Sequence, residues 1–254
     1  MAISVESGVA TVIVANAQRG QSLDIPGLRE AASVIRFDST IRVILLTGGD
    51  APNFCNGGDV KAFGSADDPG QYVRGLAEGF HEFVQAIIDT EVPVIAAVRG
   101  YAAGGGMSLA CAADIAVGGP STTFVPAYPA IGYSTDGGLS WTLPRIVGRR
   151  RAADILLANR KVSSDDAFAL GLITQRAATD EEVVPEARAL AQRLAANSRT
   201  ALGAIKRLLN ESTHNSLAVQ LTAETDAIER AAASTDGREG VAAFLEKRKP
   251  QFGS

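Results

Sequence analysis

Three consecutive glycines, Gly104, Gly105 and Gly106, form the first segment of this sequence whose residue types could do chemistry. They follow an apolar run at Val94–Val98, and a helical pattern continues from them to about Ala113. A helix N-terminus presents unpaired N–H groups and the positive end of the helix dipole. The segment could therefore hold an anion, or an oxygen that becomes anionic during a reaction.

A second glycine-rich segment, Phe54–Lys61, contains the adjacent pair Gly57 and Gly58. Because glycine has no Cβ, the N–H groups of such a pair can point at a ligand, although a tight turn before a helix is the alternative. Neither of two phosphate motifs fits the glycine triplet. A P-loop needs Gly-Lys-Ser/Thr where Met107 stands, and the dinucleotide fingerprint needs a third glycine where Leu109 stands.

The elements that must position these glycines alternate between strands and helices. Apolar, β-branched runs predict strands at Val9–Ala15, Ile41–Thr47, Val94–Val98 and Asp114–Val117, with weaker candidates at Thr122–Val125 and Ile173–Arg176. Helical patterns lie at Leu28–Phe37, Gln71–Asp89, Arg149–Ala158, Asp180–Ala196, Thr200–Glu211 and Leu217–Ala233. The alternation predicts an α/β fold with mostly parallel strands, divided into an α/β body at 1–195 and a helical region at 196–254.

Composition and charge exclude several classes of protein. With 24 Lys and Arg against 28 Asp and Glu, the net charge of −4 lacks the footprint of a general nucleic-acid binder. Cys55 and Cys111 are too few for a disulfide framework and indicate a reducing compartment. Since the sequence has no apolar run of about 18 residues and no signal-like start at Met1–Val9, we expect a cytoplasmic protein with no membrane partner.

Four segments together resemble the crotonase superfamily, also called the enoyl-CoA hydratase/isomerase family. They are Phe54–Lys61, Pro93–Ala110, Ile131–Gly148 and Arg238–Arg248, and they occur in the family's order over nearly the whole chain. The resemblance implies a crotonase-like ββα spiral with a C-terminal helical trimerisation region. It also implies an acyl-CoA substrate, a homotrimer or hexamer, and no bound cofactor other than the coenzyme A of the substrate.

The resemblance assigns roles to individual residues. Two backbone N–H groups of this family hold the thioester oxygen as it becomes an enolate, and they correspond to those of Gly58 and Gly105. Aimed donors of this kind can each lower a barrier by about 3–4 kcal/mol. The matching CoA and substrate contacts are Arg19, Asn56, Asp59, Val60, Lys61 and Tyr128. Phe244 and Lys247 match positions that reach the nucleotide end of CoA, often from a neighbouring subunit.

The two glutamates with which hydratases of this family activate water have no counterpart here. Their positions hold Ser108 and Ala127, which cannot exchange protons near neutral pH as a carboxylate can. Asp136 matches the working aspartate of isomerases that resemble the ring-epoxide isomerase of phenylacetate degradation, although an aspartate here could also be a helix N-cap. The favoured hypothesis is an acyl-CoA double-bond isomerase with Asp136 as the base.

His81 and Tyr128 support a second hypothesis, because both match pocket positions of a chlorobenzoyl-CoA dehalogenase. In that chemistry Asp136 attacks the acyl group and His81 activates water for hydrolysis. From the residues alone, His81 also fits a partly buried position on a core-facing helix. A third hypothesis is an acyl-CoA-binding protein without catalysis. None of the three requires a metal or redox cofactor, and no His/Cys cluster predicts a metal site.

Overall fold

The computed structural model describes residues 2–253. Its strands are β1 (Ile3–Glu6), β2 (Val9–Ile13), β3 (Ala15–Asn16), β4 (Ser22–Leu23), β5 (Val43–Thr47), β6 (Val94–Val98), β7 (Tyr101–Ala103), β8 (Ile115–Gly118), β9 (Thr123–Val125) and β10 (Gln175–Arg176). Its α-helices are α1 (Ile25–Phe37), α2 (Val60–Gly64), α3 (Pro69–Asp89), α4 (Gly105–Ala112), α5 (Leu139–Val147), α6 (Arg149–Leu157), α7 (Ser164–Leu170), α8 (Val183–Ala195), α9 (Arg199–Glu211), α10 (Leu217–Ala233) and α11 (Thr235–Leu245). Short 3₁₀ segments lie at Ala17–Arg19 and Tyr128–Ile131.

Within residues 2–253, six strands form the central sheet in the order β1-β2-β5-β6-β8-β10. β1 pairs antiparallel with β2, whereas the pairs β2–β5, β5–β6, β6–β8 and β8–β10 are parallel. Strand β5 is buried on both faces, since Ile44 and Leu46 join one core cluster while Val43 and Leu45 join the other. Burial on both faces explains why this strand reads as a continuous apolar run rather than an alternating one.

The predicted α/β fold with mostly parallel strands is confirmed. The six predicted strands correspond to β2, β5, β6, β8, β9 and β10. Sequence patterns do not predict β1, β7, α5 or α11. Helix α5 contains Pro144, which has no N–H to continue a helical ladder and therefore argues against a helix at the sequence level. Within residues 2–253, the helices are too short or too polar to cross a membrane.

The connection from β6 to α4 places one glycine segment beside the other. The chain leaves β6, forms the short strand β7, and enters α4 at Gly105. Cys55 pairs with Ala102 of β7, so the segment that contains Gly58 runs alongside this connection. All residues of α4 are buried, as expected for a helix that is apolar on all sides. The buried helix gives its N-terminus a fixed position.

A buried lysine joins helix α9 to the sheet and to α3. The Lys206 ammonium donates to the carbonyl oxygens of Ile87 at 2.9 Å and Val92 at 3.2 Å, and it pairs with Asp114 Oδ2 at 2.9 Å. The same Asp114 oxygen accepts the N–H of Val94 at 2.7 Å. Burial lowers the pKa of Lys206, and the Asp114 carboxylate opposes that shift. These contacts satisfy every donor of the ammonium in the protein interior.

Replacing Lys206 with methionine is expected to lower the free energy of unfolding by about 3 kcal/mol. The substitution keeps an apolar stem of similar length but leaves the Asp114 carboxylate without its cation. Urea denaturation measures the change, and Lys161→Met, at an exposed lysine, is the matched control. An equal denaturation midpoint for the two variants would mean that the Lys206 contacts add nothing measurable to the stability of the fold.

Candidate active site

A cavity of about 850 Å³ opens beside the N-terminus of α4. Its lining is mostly apolar, and the aromatic part of the wall comprises Phe63, Tyr72, Phe80, Tyr128 and Tyr133. The rings of Phe63 and Tyr133 stack with centroids 6.1 Å apart and planes 18° from parallel. A mostly apolar cavity that contains a few polar groups is typical of a site for a small organic ligand.

Both glycine segments contribute backbone N–H groups to the cavity. Gly58 and Gly105 line it, and neither N–H has a hydrogen-bond partner within residues 2–253. Gly105 is the first residue of α4, and its N-cap Gly104 has no side chain to cover the helix end. A Cβ at Gly57 would lie 3.0 Å from the carbonyl oxygen of Ala103, so the two segments approach backbone to backbone. Two unpaired donors therefore border one cavity, which is the kind of arrangement that can stabilise a developing anion.

Asp136 lines the same cavity and is held through one carboxylate oxygen. The Tyr128 hydroxyl donates to Asp136 Oδ1 at 2.7 Å, and Ser108 Oγ lies 3.0 Å from both the Tyr128 hydroxyl and the Asp136 carbonyl oxygen. Within residues 2–253, Asp136 Oδ2 has no hydrogen-bond partner. Helix α5 begins at Leu139 with Gly138 as its N-cap, so the alternative in which Asp136 caps this helix is wrong.

The Tyr128 hydroxyl and the thiols of Cys55 and Cys111 stay protonated at neutral pH. Burial and the neighbouring Asp136 carboxylate raise the pKa of Tyr128, which therefore remains a hydrogen-bond donor. Burial raises the pKa of Cys55 and Cys111 to about 12, so neither supplies a thiolate at neutral pH. Within the described residues, 2–253, no group of three or more His, Cys, Asp or Glu side chains could hold a metal.

His81 lies on α3, outside the cavity lining. Its Nε2 accepts the N–H of Gly137 at 3.1 Å, which uses the lone pair that a general base would need. Gly137 follows Asp136 directly and has a φ of 59°, in the left-handed region that favours glycine. His81 therefore holds the turn that carries Asp136.

The residues predicted for CoA contact divide into two groups. Those that line the cavity are Arg19, Asn56, Asp59, Val60 and Tyr128. Lys61, Phe244 and Lys247 are exposed and lie outside the lining, and Phe244 is 82% exposed on α11. The structure thus gathers the first group around one cavity and leaves the second on the surface of a single chain.

Two of the lining side chains also support local structure. Asn56 Nδ2 donates to the carbonyl oxygen of Gly20 at 2.9 Å, which ties the two neighbouring loops together. Asp59 is the N-cap of α2, where its carboxylate accepts the N–H of Ala62 at 3.3 Å. The cap uses only Oδ1 of Asp59, so within residues 2–253 each of the two lining carboxylates has one oxygen without a hydrogen-bond partner; Asp59 is held by a helix N-terminus and Asp136 by a side-chain hydroxyl.

Arg74 is a lining residue that the sequence analysis does not identify. It is exposed on α3 and pairs with Glu78 at 2.9 Å, four residues along the helix. In the sequence, such an i,i+4 pair is typical of a solvated helix face. Arg19 is the second exposed arginine of the lining, and it has no ion-pair partner within residues 2–253. The exposed rim of the cavity thus carries two guanidinium groups.

Known proteins are similar to this chain over most of its length. The sequence model of the Enoyl-CoA hydratase/isomerase family matches residues 13–254. The chain is 38% identical to 1,2-epoxyphenylacetyl-CoA isomerase of Escherichia coli strain K12, over 98% of this chain and 96% of the relative. It is 34% identical to 4-chlorobenzoyl coenzyme A dehalogenase-1 of Arthrobacter sp, over 85% and 80%. The crystal structure of an enoyl-CoA hydratase from Polaromonas sp. JS666 superposes with a TM-score of 0.91 at 33% identity, covering 99% of this chain and 98% of that one.

Proposed function

Because the chain belongs to the enoyl-CoA hydratase/isomerase family, we propose that it is a double-bond isomerase of acyl-CoA thioesters with Asp136 as its base. The observation that carries this proposal is the free Oδ2 of Asp136 in a cavity that is also bordered by the unpaired N–H groups of Gly58 and Gly105. A carboxylate and two aimed donors are the groups needed to form an enolate and to return its proton.

The proposed reaction moves one proton and one double bond. Asp136 Oδ2 takes a proton from the carbon between the thioester and the double bond of a β,γ-unsaturated substrate. The electron pair spreads onto the thioester oxygen, where the N–H groups of Gly58 and Gly105 stabilise the negative charge. Asp136 then returns the proton to the γ-carbon, the double bond becomes α,β, and the composition of the substrate is unchanged.

The remaining lining residues suit the two ends of such a substrate. The guanidinium groups of Arg19 and Arg74 at the exposed rim can pair with the phosphate groups of CoA. The aromatic wall around Phe63 and Tyr133 offers the acyl group apolar and ring-stacking contacts. We therefore propose that bulky or aromatic acyl groups are accepted in addition to linear ones.

Specific contacts weigh against the rival reactions. Hydration in this family uses two glutamates, but neither of the matching positions holds a carboxylate here. Ser108 binds a tyrosine hydroxyl, and Ala127 has no polar side chain. A dehalogenase-like hydrolysis needs His81 to activate water, but His81 lies outside the cavity lining and its Nε2 accepts a backbone N–H. Isomerisation needs Asp136 alone as an acid and base.

Turnover of a panel of CoA thioesters in deuterium oxide tests the proposal. The panel contains β,γ-unsaturated linear and aromatic acyl groups, α,β-unsaturated ones and halogenated aromatic ones. We expect isomers that differ from the substrate only by exchanged deuterium. Addition of water would indicate a hydratase, release of halide would indicate a dehalogenase, and binding without turnover across the panel would indicate an acyl-CoA-binding protein.

We further propose that the helical C-terminal region forms a trimer or a hexamer. Large apolar side chains of α9, α10 and α11 are exposed in one chain, namely Ile205, Leu209, Leu217, Val219, Leu221, Ile228, Val241, Phe244 and Leu245. Exposed apolar surface of this extent is typical of a protein–protein contact. Burial of this surface could bring Phe244 and Lys247 to the cavity of a neighbouring chain.

Sedimentation at micromolar concentration is expected to give a mass three or six times the 26.3 kDa of the chain. Phe244→Asp places a charge in the proposed contact and should shift the mass towards the monomer. The matched control is Phe37→Asp, at an aromatic residue of α1 that is 84% exposed and should not change the mass. A wild-type chain that sediments as a monomer would contradict the proposal.

A further inference from the structure

Tyr128 and Ser108 form a hydrogen-bonded pair that ends on the carboxylate of Asp136. The Tyr128 hydroxyl has one hydrogen, and the ionised carboxylate can only accept, so Tyr128 donates to Asp136 Oδ1 at 2.7 Å. The Tyr128 oxygen can then only accept, so the single hydrogen of Ser108 is shared between the Tyr128 oxygen and the carbonyl oxygen of Asp136, each 3.0 Å away. The hydrogen bond on the carboxylate therefore has a defined direction, from Tyr128 to one oxygen of Asp136, and Ser108 contacts both residues.

Rigid parts of the fold hold both hydroxyl groups. Ser108 is fully buried on α4, and its Oγ also lies 3.0 Å from the carbonyl oxygen of Asp136. Tyr128 begins a 3₁₀ segment, where its N–H donates to Pro126 and its carbonyl oxygen accepts the N–H of Tyr133, at 2.9 and 3.0 Å. A hydrogen bond between groups held in this way fixes the plane of the carboxylate as well as its position.

We propose that Tyr128, supported by Ser108, is a positioning residue that confines proton transfer to Oδ2 of Asp136; this inference rests on the function proposed above. Oδ1 already accepts the Tyr128 hydrogen, which stabilises negative charge on Oδ1 and makes it less basic than Oδ2. The proton taken from the substrate therefore stays on Oδ2, the oxygen without a protein partner. From there it returns to the substrate, and no proton passes along the hydroxyl pair.

The Tyr128→Phe variant tests this role because it removes only the hydroxyl. Without that hydrogen bond, the carboxyl group can turn and exchange its proton with water before the proton is returned. We expect kcat to fall about tenfold, in line with the loss of one hydrogen bond to a charged group, while KM stays within about twofold. We also expect more solvent deuterium in the product for each turnover in deuterium oxide.

The amount of deuterium incorporated per turnover distinguishes a loss of carboxylate positioning from a loss of folded protein. It is a property of each catalytic event, so a partly unfolded preparation lowers the rate but leaves this ratio unchanged. Tyr101→Phe is the matched control, since Tyr101 is 44% exposed and lies outside the cavity lining. We expect this control to match the wild type in kcat and in deuterium content.

Ser108→Ala gives a second test that does not alter Tyr128 itself. It removes the hydroxyl that contacts both the Tyr128 hydroxyl and the Asp136 carbonyl oxygen, and we expect the deuterium ratio to rise in the same direction by a smaller amount. An unchanged kcat and deuterium ratio in Tyr128→Phe, or an unchanged ratio in Ser108→Ala, would overturn the inference. A wild-type protein without isomerase turnover would instead contradict the proposed function, so the two failures are distinguishable.

Discussion

Replacing Asp136 with asparagine is expected to stop both isomerisation and solvent exchange of the substrate α- and γ-protons. A positioned general base contributes about 10²–10⁴-fold to a proton transfer, so kcat should fall by about 10³ or more. Asparagine has the size of aspartate and its carbonyl oxygen can still accept the Tyr128 hydrogen, which keeps the turn in place. Acyl-CoA affinity should therefore stay within about tenfold, or 1.4 kcal/mol.

Isomer formation and deuterium uptake, measured together, check the role of Asp136. Asp50→Asn is the matched control, because Asp50 is exposed and lies outside the cavity lining. If Asp136→Asn exchanges substrate protons at the wild-type rate, another group is the base. If His81→Ala is as damaging as Asp136→Asn and halide appears among the products, the dehalogenase-like reaction is correct and the isomerase proposal is wrong.

The second large effect is expected at the first residue of α4. Gly105→Pro removes the N–H that we propose as a donor to the thioester oxygen, and proline is tolerated at the first position of a helix. One aimed donor contributes about 3 kcal/mol to such a reaction, so turnover should fall about 10²-fold or more. Circular dichroism should give the wild-type spectrum, since the rest of α4 is unaffected.

Gly105→Ala is the matched control for this change. It adds a Cβ against the end of the Leu23 side chain, as proline does, but it keeps the N–H. Because the Leu23 methyl can move, we expect Gly105→Ala to retain most of the activity that Gly105→Pro loses. Equal activities of the two variants would indicate that crowding, and not the missing N–H, is responsible, and unchanged turnover in Gly105→Pro would remove Gly105 from the site.

The sequence predicts the parts of the fold and the site that are determined over short stretches of chain. Strands such as Val94–Val98 are apolar over their whole length and begin and end with β-branched residues, and the glycines after them can be recognised without a structure. Helix α5 is not predicted because, in a sequence, the internal Pro144 is read as a helix breaker. The short edge strand Ile3–Glu6 has too few residues to give a clear pattern.

Contacts between distant residues are the part that sequence patterns do not predict. Ser108 lies 20 residues from Tyr128 and 28 from Asp136, and their meeting depends on how α4 and the 3₁₀ segment pack. From the sequence alone, Ser108 is identified only as the residue that stands where hydratases of this family have a glutamate. In the folded structure Ser108 contacts Tyr128. Arg74, which lies on a solvated helix face, is part of the cavity rim.

The free oxygen of Asp136 has a stereochemical consequence. In the proposed reaction one oxygen, Oδ2 of Asp136, both removes and returns the proton, while the second lining carboxylate, Asp59, caps α2 through its Oδ1. A base fixed on one wall reaches a flat dienolate from a single side. Transfer between the α- and γ-carbons would then be suprafacial, and the deuterium acquired at the γ-carbon would occupy one prochiral position.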